Sequence, residues 1–325
     1  MTTYTSQPGT HIPIRAADPV NPQIGEVWYN TTTKKLKGVV NVAVGTWSSG
    51  GSMNTARRQV GGFGESVSTA VVFCGQNPPA LANTEEYSGT SWSNVTANPQ
   101  VRVKPFGFGT LTAGLGGGGE SGPSSGTNSG EYDGTSWTAS ATIPLTMYDS
   151  TGIGPTAAGV VVHGPQSPDT AVLLYASPGT WTTGTSSPAK IGSASAGGTA
   201  TAGIFSAMTP GGVTTSYEYA SGTWTAGGAL NVARNRAASG AQAPQSQTLI
   251  FGGDDAGATE KVATELYDGT SWSNQPNMST ARRGLGGAGS SSTSALAFGG
   301  YTGSDTAVTE EYTGPGVSVK TITTS

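Results

Sequence analysis

Charge is scarce in this chain: Asp, Glu, Lys and Arg make up 10% of its 325 residues, 19 acidic and 15 basic, for a net charge of −4. No run of Lys or Arg exceeds two residues, so the cationic surface that nucleic acid or anionic lipid requires is missing, and neither is expected as a partner. Cysteine is nearly absent. Cys74 alone excludes an internal disulfide framework and a multi-cysteine metal site, and its place in the apolar run Val71 to Cys74 marks it as a small buried hydrophobe. The two histidines, His11 and His163, lie in different regions, so no imidazole cluster for a redox metal is expected, and no cofactor. No apolar window reaches membrane-span length, and Met1 to Pro13 lacks the basic flank and apolar core of a secretory signal, which predicts a product made as a soluble cytoplasmic protein. What fills the chain instead is Gly, at 51 residues, with Ser and Thr, a composition that disfavours helices and favours turns and short strands.

Six tryptophans stand at a nearly fixed interval: Trp47, Trp92, Trp137, Trp181, Trp224 and Trp272 are separated by 45, 45, 44, 43 and 48 residues. A repeat of roughly 40–50 residues is one supersecondary unit that cannot bury its own apolar face, so copies must stack, and this length suits a four-stranded propeller blade. The unit from Trp272 to Tyr312 divides at its Gly and Ser clusters into strands over Arg283 to Gly289, Ser294 to Gly300 and Ala307 to Thr313. The Trp-bearing strand, as in Thr270 to Asn274, is the fourth. A Tyr precedes the Trp by five or six positions in five units (Tyr87, Tyr132, Tyr175, Tyr219 and Tyr267), with turn residues such as Asp133-Gly134 and Asp268-Gly269 between them, so these two strands form a β-hairpin.

Two further markers keep register. An Arg follows the Trp by ten residues at Arg57, Arg102, Arg234 and Arg282, replaced by Met147 and Ile191 in the middle repeats. A Gly-Gly closes the second strand at Gly252-Gly253 and Gly299-Gly300, falls within Gly116 to Gly119, and is reduced to Gly75 and Gly164 elsewhere. The arginines are expected to pair with Glu85, Glu131, Glu265 and Glu310, although Glu131 is shifted by one position. The order Arg, Gly-Gly, Tyr, Trp resembles the kelch repeat, and the resemblance implies an all-β, six-bladed kelch-like β-propeller over residues 41–316. Each Trp then packs between blades as structure rather than as a ligand contact.

Trp-bearing strands and first-to-third strand sets both number six, but the first Trp strand precedes the first set. Ring closure by an N-terminal strand, Val44 to Ser49, is therefore the favoured reading, and it leaves no open edge. A rival reading makes Val317 to Ile322 the last outer strand, within a C-terminal tail at 317–325.

Residues 1–40 do not follow the repeat; with Pro13, Pro19 and Pro22 they read as an extended lead-in ending in a hairpin that carries Trp28, Tyr29 and Leu36. GEVWYNTTTKKLKGV, at residues 25–39, is similar to segments of bacteriophage tail and appendage proteins. Residues 53–62 and 264–300 likewise resemble kelch-like repeats in structural proteins of marine phages. The resemblance implies a virion structural protein, held to other virion proteins by residues 1–40 through Trp28, Tyr29 and Leu36, and present in several copies per particle. A tail appendage, tail fibre or receptor-binding propeller is the first reading, and a capsid decoration protein the second.

A glycan-degrading propeller enzyme stands third. Sialidase-like Asp-box turns place Asp five residues before the aromatic, whereas Asp133 and Asp268 precede their Trp by four. Gly114 to Gly119 lacks the Lys and following helix of a phosphate-binding loop and reads as a strand end beside a central channel. The chain is expected not to be an enzyme. Function is expected in the loops between second and third strands, Gln76 to Asn83, Glu120 to Ser129, Pro165 to Asp169 and Asp254 to Lys261. Gln76, Asn77, Asn128, Asp169, Asp254 and Asp255 are the candidate contacts there for a host cell-surface glycan or protein.

Overall fold

The computed structural model describes residues 12–20, 25–42, 45–120, 126–164, 169–208, 212–240 and 242–322, with side chains at 40–42 and 316–320 outside the description. The segments 1–11, 121–125 and 165–168, on which parts of the expected attachment and loop regions fall, lie outside it. Among the described residues the only helical element is one 3-10 turn at Gln245–Gln247, and no helix is long and apolar enough to cross a membrane.

Two compact units divide the chain: Thr46–Thr313, and Met1–Gly45 together with Gly314–Ser325. The first contains six four-stranded antiparallel sheets. Sheets 1 to 3 begin at Gly61–Gly64, Phe106–Thr110 and Thr151–Ile153; sheets 4 to 6 begin at Ser195–Gly198, Ala238–Ser239 and Gly286–Ser291. Each of the first five runs straight along the chain from first to fourth strand. Sheet 6 instead takes its fourth strand from Thr46–Ser49, which pairs with Thr309–Thr313 and sets Trp47 opposite Tyr312. The observed strands are shorter than the spacing suggests: in the last repeat they cover Gly286–Ser291, Ser294–Phe298 and Thr309–Thr313.

Glycine in the first strands makes room for large residues on the second. Gly61 lies opposite Phe73 and Gly286 opposite Phe298, and a Cβ at either glycine would come within 2.2 Å of the facing ring. The Gly-Gly marker has a different cause. Gly252 and Gly253 both take positive φ, of 68° and 94°, so the strand can turn back under the Arg that follows the preceding Trp. In sheet 1, Cys74 adopts the same conformation at φ 58° beside Gly75, so the marker is shortened in sequence while its geometry is kept.

The aromatic pairs repeat from sheet to sheet. Tyr and Trp face each other across third and fourth strands with ring centroids 4.7 to 5.2 Å apart, including Tyr312 and Trp47. Each Trp also reaches the preceding sheet. Trp137 Nε1 donates to Thr84 Oγ1, Trp272 to Ser216 Oγ, Trp47 to Thr264 Oγ1 and Trp92 to Thr309 Oγ1, at 2.9 to 3.1 Å. The last of these ties sheet 1 to sheet 6. In these four the acceptor is the Thr or Ser three residues before a Tyr. Trp181 donates instead to the Ala141 carbonyl, which Ser129 Oγ also meets, and, where Val172 replaces the hydroxyl residue, Trp224 donates to the Thr185 carbonyl.

Three buried ion pairs brace sheets 1, 5 and 6: Arg57 with Glu85, Arg234 with Glu265, and Arg282 with Glu310 at 3.1 Å. The fourth expected pair does not form. Glu131 directly precedes its Tyr, whereas Glu85, Glu265 and Glu310 lie two positions before theirs, and a one-residue shift moves a strand side chain to the opposite face. Arg102 accordingly donates to the carbonyls of Gly118 and Asn128, and Glu131 accepts the Tyr175 hydroxyl. Sheet 3, which carries Met147 in place of Arg, uses His163: its two ring nitrogens lie 2.9 Å from the Gly164 carbonyl and 2.8 Å from that of Thr146.

The second unit is a four-stranded sheet in the order Ile14–Arg15, Val27–Asn30, Lys35–Val42 and Gly316–Thr321. The C-terminal strand thus pairs with the N-terminal hairpin, which moves the boundaries from 40/41 and 316/317 to 45/46 and 313/314. Trp28 is 1% exposed and donates to Asp18 Oδ1 at 3.0 Å, so its ring is not a free contact surface. Tyr29, on the other face by strand alternation, is 38% exposed and sits opposite both Ile14 and Leu36.

Candidate functional site

The first strands of the six sheets pack side by side in chain order, and the sixth also packs against the first. Two residues after each Arg position stands a residue with positive φ: Gln59, Lys104, Asp149, Ser193, Arg236 and Gly284, at 47° to 57°. Their backbones form a closed cycle. Gln59 N–H donates to Gly284 O, Lys104 to Gln59, Asp149 to Lys104, Ser193 to Asp149, Arg236 to Ser193 and Gly284 to Arg236, at 2.7 to 3.3 Å. Five of these six residues are not glycine, and left-handed backbone at such residues persists only where surrounding contacts impose it.

A cavity of about 150 Å³ lies among the first strands, lined by this cycle and by residues such as Gly62, Gly107 and Gly287. Gly114 to Gly119, expected as a strand end beside such a channel, does fall on and just after a second strand, Ala113–Gly117, but none of these residues lines the cavity: Gly116 packs so closely under Phe73 that a Cβ would sit 2.7 Å from its ring. A second cavity of about 240 Å³ shares Gln59, Arg236 and Gly284 with the first and adds Arg58, Gln76, Arg283 and Tyr301.

Charged side chains gather around these cavities as interlocked pairs. Arg236 grips the fully buried Asp254 carboxylate through both its Nε, at 3.0 Å, and Nη2. Arg283 reaches the same carboxylate at 3.4 Å and Glu260 at 3.6 Å, and Arg58 reaches Asp305 at 2.6 Å. Lys104 bridges Glu120 at 3.1 Å and Asp149 at 3.2 Å. Burial raises the Asp149 carboxyl above its ordinary range, against the pull of Lys104. The Arg58 and Arg283 guanidiniums lie 4.7 and 4.9 Å from the Tyr301 ring centroid.

The residues singled out from sequence fall in different places. Gln76 lines the second cavity, while Asp254 sits buried behind the arginines and cannot meet a ligand directly. Asp255 caps Gly257 N and Thr259 N and pairs with Lys261 at 2.6 Å. Asp169 pairs with Lys190 at 3.0 Å, Asn77 is exposed, and the Asn128 carbonyl is held by Arg102. Arg58, Arg236, Arg283 and Tyr301 were missed. Their signal was the position next to the repeating Arg and Gly-Gly markers, which reads as structural when only the markers are followed.

The tyrosines carry a pH signature. Tyr87 donates to Glu311 and Tyr132 to Glu86, each at 2.5 Å, and Tyr175 and Tyr267 donate to Glu131 and Glu218. Burial, reinforced by these carboxylates, pushes the Tyr87, Tyr175 and Tyr267 phenols from an ordinary 10 up to about 12, and raises Tyr132 as well. A raised acid constant in the folded state means that these groups stabilise the fold fully below about pH 10 and lose that contribution as pH climbs through about 12. Near-ultraviolet absorbance should show phenolate appearing late and together with unfolding. Titration of all eleven tyrosines near pH 10 with the fold intact would refute this.

No protein-family model matches this sequence, and no curated protein sequence matches it. Among solved structures the chain is similar to YjhT, with a TM-score of 0.65 at 12% identity over 84% of this chain and all of that one. At that identity the likeness concerns the fold alone, and it identifies the fold as β-propeller-like.

Proposed function

We propose that the chain is a six-bladed, kelch-like β-propeller closed by Thr46–Ser49, serving as a non-enzymatic binding component of a bacteriophage virion. The observation that carries the binding role is the second cavity. Its arginines are clamped by carboxylates into fixed positions, which suits recognition of a ligand without ordering cost. The virion reading rests on the likeness of residues 25–39, 53–62 and 264–300 to phage structural proteins. Its attachment region is the small sheet of Ile14–Arg15, Val27–Asn30, Lys35–Val42 and Gly316–Thr321, which leaves Ile14, Tyr29 and the adjoining Ile322 exposed. Tail appendage or receptor-binding propeller is the favoured location, with a host glycan or protein as the ligand.

Gold-labelled antibody against this chain, applied to purified particles that encode it, should decorate the tail. Decoration of the head would favour the capsid-decoration role, and absence of the chain from particles would overturn the virion reading.

A further inference from the structure

We infer that the cavity between Arg58, Arg236 and Arg283 is a carboxylate-binding site that takes a uronic acid residue of an acidic polysaccharide. The inference rests on the binding role proposed above and specifies its ligand. The cavity is lined by Arg58, Arg236 and Arg283 with Gln59, Gln76, Gly284 and Tyr301, and no Asp or Glu is among these residues. Two of the acids that balance the arginines, Asp254 and Asp305, have buried side chains, and the third, Glu260, is 24% exposed beside Arg283. The Asp254 and Asp305 side chains are 0% and 8% exposed, whereas those of Arg236, Arg58 and Arg283 are 33%, 26% and 22% exposed. Each arginine is therefore held by a buried carboxylate while its side chain as a whole stays partly exposed. Planar guanidinium forks match the two oxygens of a carboxylate, and fixing them beforehand removes the entropy that free arginines lose on binding.

Charge and size narrow the ligand. Three guanidiniums face three carboxylates, those of Asp254, Glu260 and Asp305, so the cluster is neutral overall. A monoanion is then better tolerated than a dianionic phosphate, whose second charge would meet those acids. The volume of about 240 Å³ falls below the roughly 300 Å³ at which pockets for drug-sized molecules begin, so it holds one ring or terminal group. The two carboxamides supply both donors and acceptors for ring hydroxyls, which a carboxylate alone would not need.

The probe is D-glucuronate, titrated into the full chain by calorimetry in parallel with D-glucose and inorganic phosphate. Glucuronate should bind, with glucose and phosphate each about tenfold weaker or worse, and added salt should weaken the binding. Arg58→Gln should reduce glucuronate affinity about tenfold. Gln76→Leu, which removes no charge, should reduce it less while the melting temperature stays unchanged. Absence of glucuronate binding, equal binding of glucose, or tighter binding of phosphate would each overturn the assignment. None of these outcomes bears on whether labelled antibody finds the chain on particles, so the two readings fail separately.

Discussion

Replacement of Glu265 by alanine lowers the unfolding free energy by about 3–5 kcal/mol, because it strands a buried charge. Arg234 and Glu265 are both fully buried, and the carboxylate also accepts Asn231 N–H at 2.7 Å, the Asn231 amide at 2.9 Å and Val232 N–H at 3.1 Å. The side chain is thus a junction between the linker that enters sheet 5 and the third strand of that sheet. Its removal leaves a guanidinium that burial already pulls below its ordinary acid constant, held only by the carbonyls of Gly252 and Ala263. Glu265→Gln keeps an acceptor oxygen and should cost less. Glu260→Ala, which removes a partly exposed partner of Arg283, should cost no more than about 1 kcal/mol. Urea unfolding of the three variants measures the difference. Equal small losses would mean that the buried pair does not brace the sheet.

The repeat was legible because it is written in large, infrequent residues. Trp at a fixed interval, Tyr before it and Gly-Gly behind it each mark a strand end, and alternation along the strand makes their spacing meaningful. Three of four Arg–Glu pairs could be matched by spacing; the fourth failed on a single position, because side chains two apart share a face and neighbours do not. The hydrogen-bonded cycle was not legible. Gln59, Lys104, Asp149, Ser193 and Arg236 share no side-chain chemistry, and their left-handed backbone is imposed by neighbours from other sheets rather than by local preference.

The candidate site was legible only at its edge. The expectation that function lies in the loops reached Gln76, while Asp254 and Asp255 looked available although one is buried and the other caps its own loop. The arginines that face the cavity adjoin the markers and were absorbed into the structural pattern. In the second unit, Trp28 and Tyr29 looked equivalent in sequence, yet adjacent strand residues point to opposite faces, and only Tyr29 remains exposed. Pairing of the C-terminal strand with the hairpin joins residues nearly the whole chain apart, and no local signal announces such a partner.

The second large effect concerns closure. Thr46 and Thr313 face each other across the strand pair that completes sheet 6, and both are exposed. Directly opposed antiparallel residues have Cα atoms about 4.5–5.5 Å apart, within the range a disulfide spans. The double variant Thr46→Cys, Thr313→Cys would link the ends of nearly the entire propeller unit, and the chain-entropy estimate for so long a loop is roughly 5 kcal/mol of added stability. Native Cys74 should not interfere, since it is buried and its thiol is pushed up to about 12. Intact mass and thermal unfolding of this variant, oxidised and reduced, form the most direct test of a ring joined by its first strand. The expected result is a monomer lighter by two hydrogens, with a higher melting temperature that reductant reverses. Free thiols after oxidation, or disulfide-linked dimers in place of the monomer, would contradict closure.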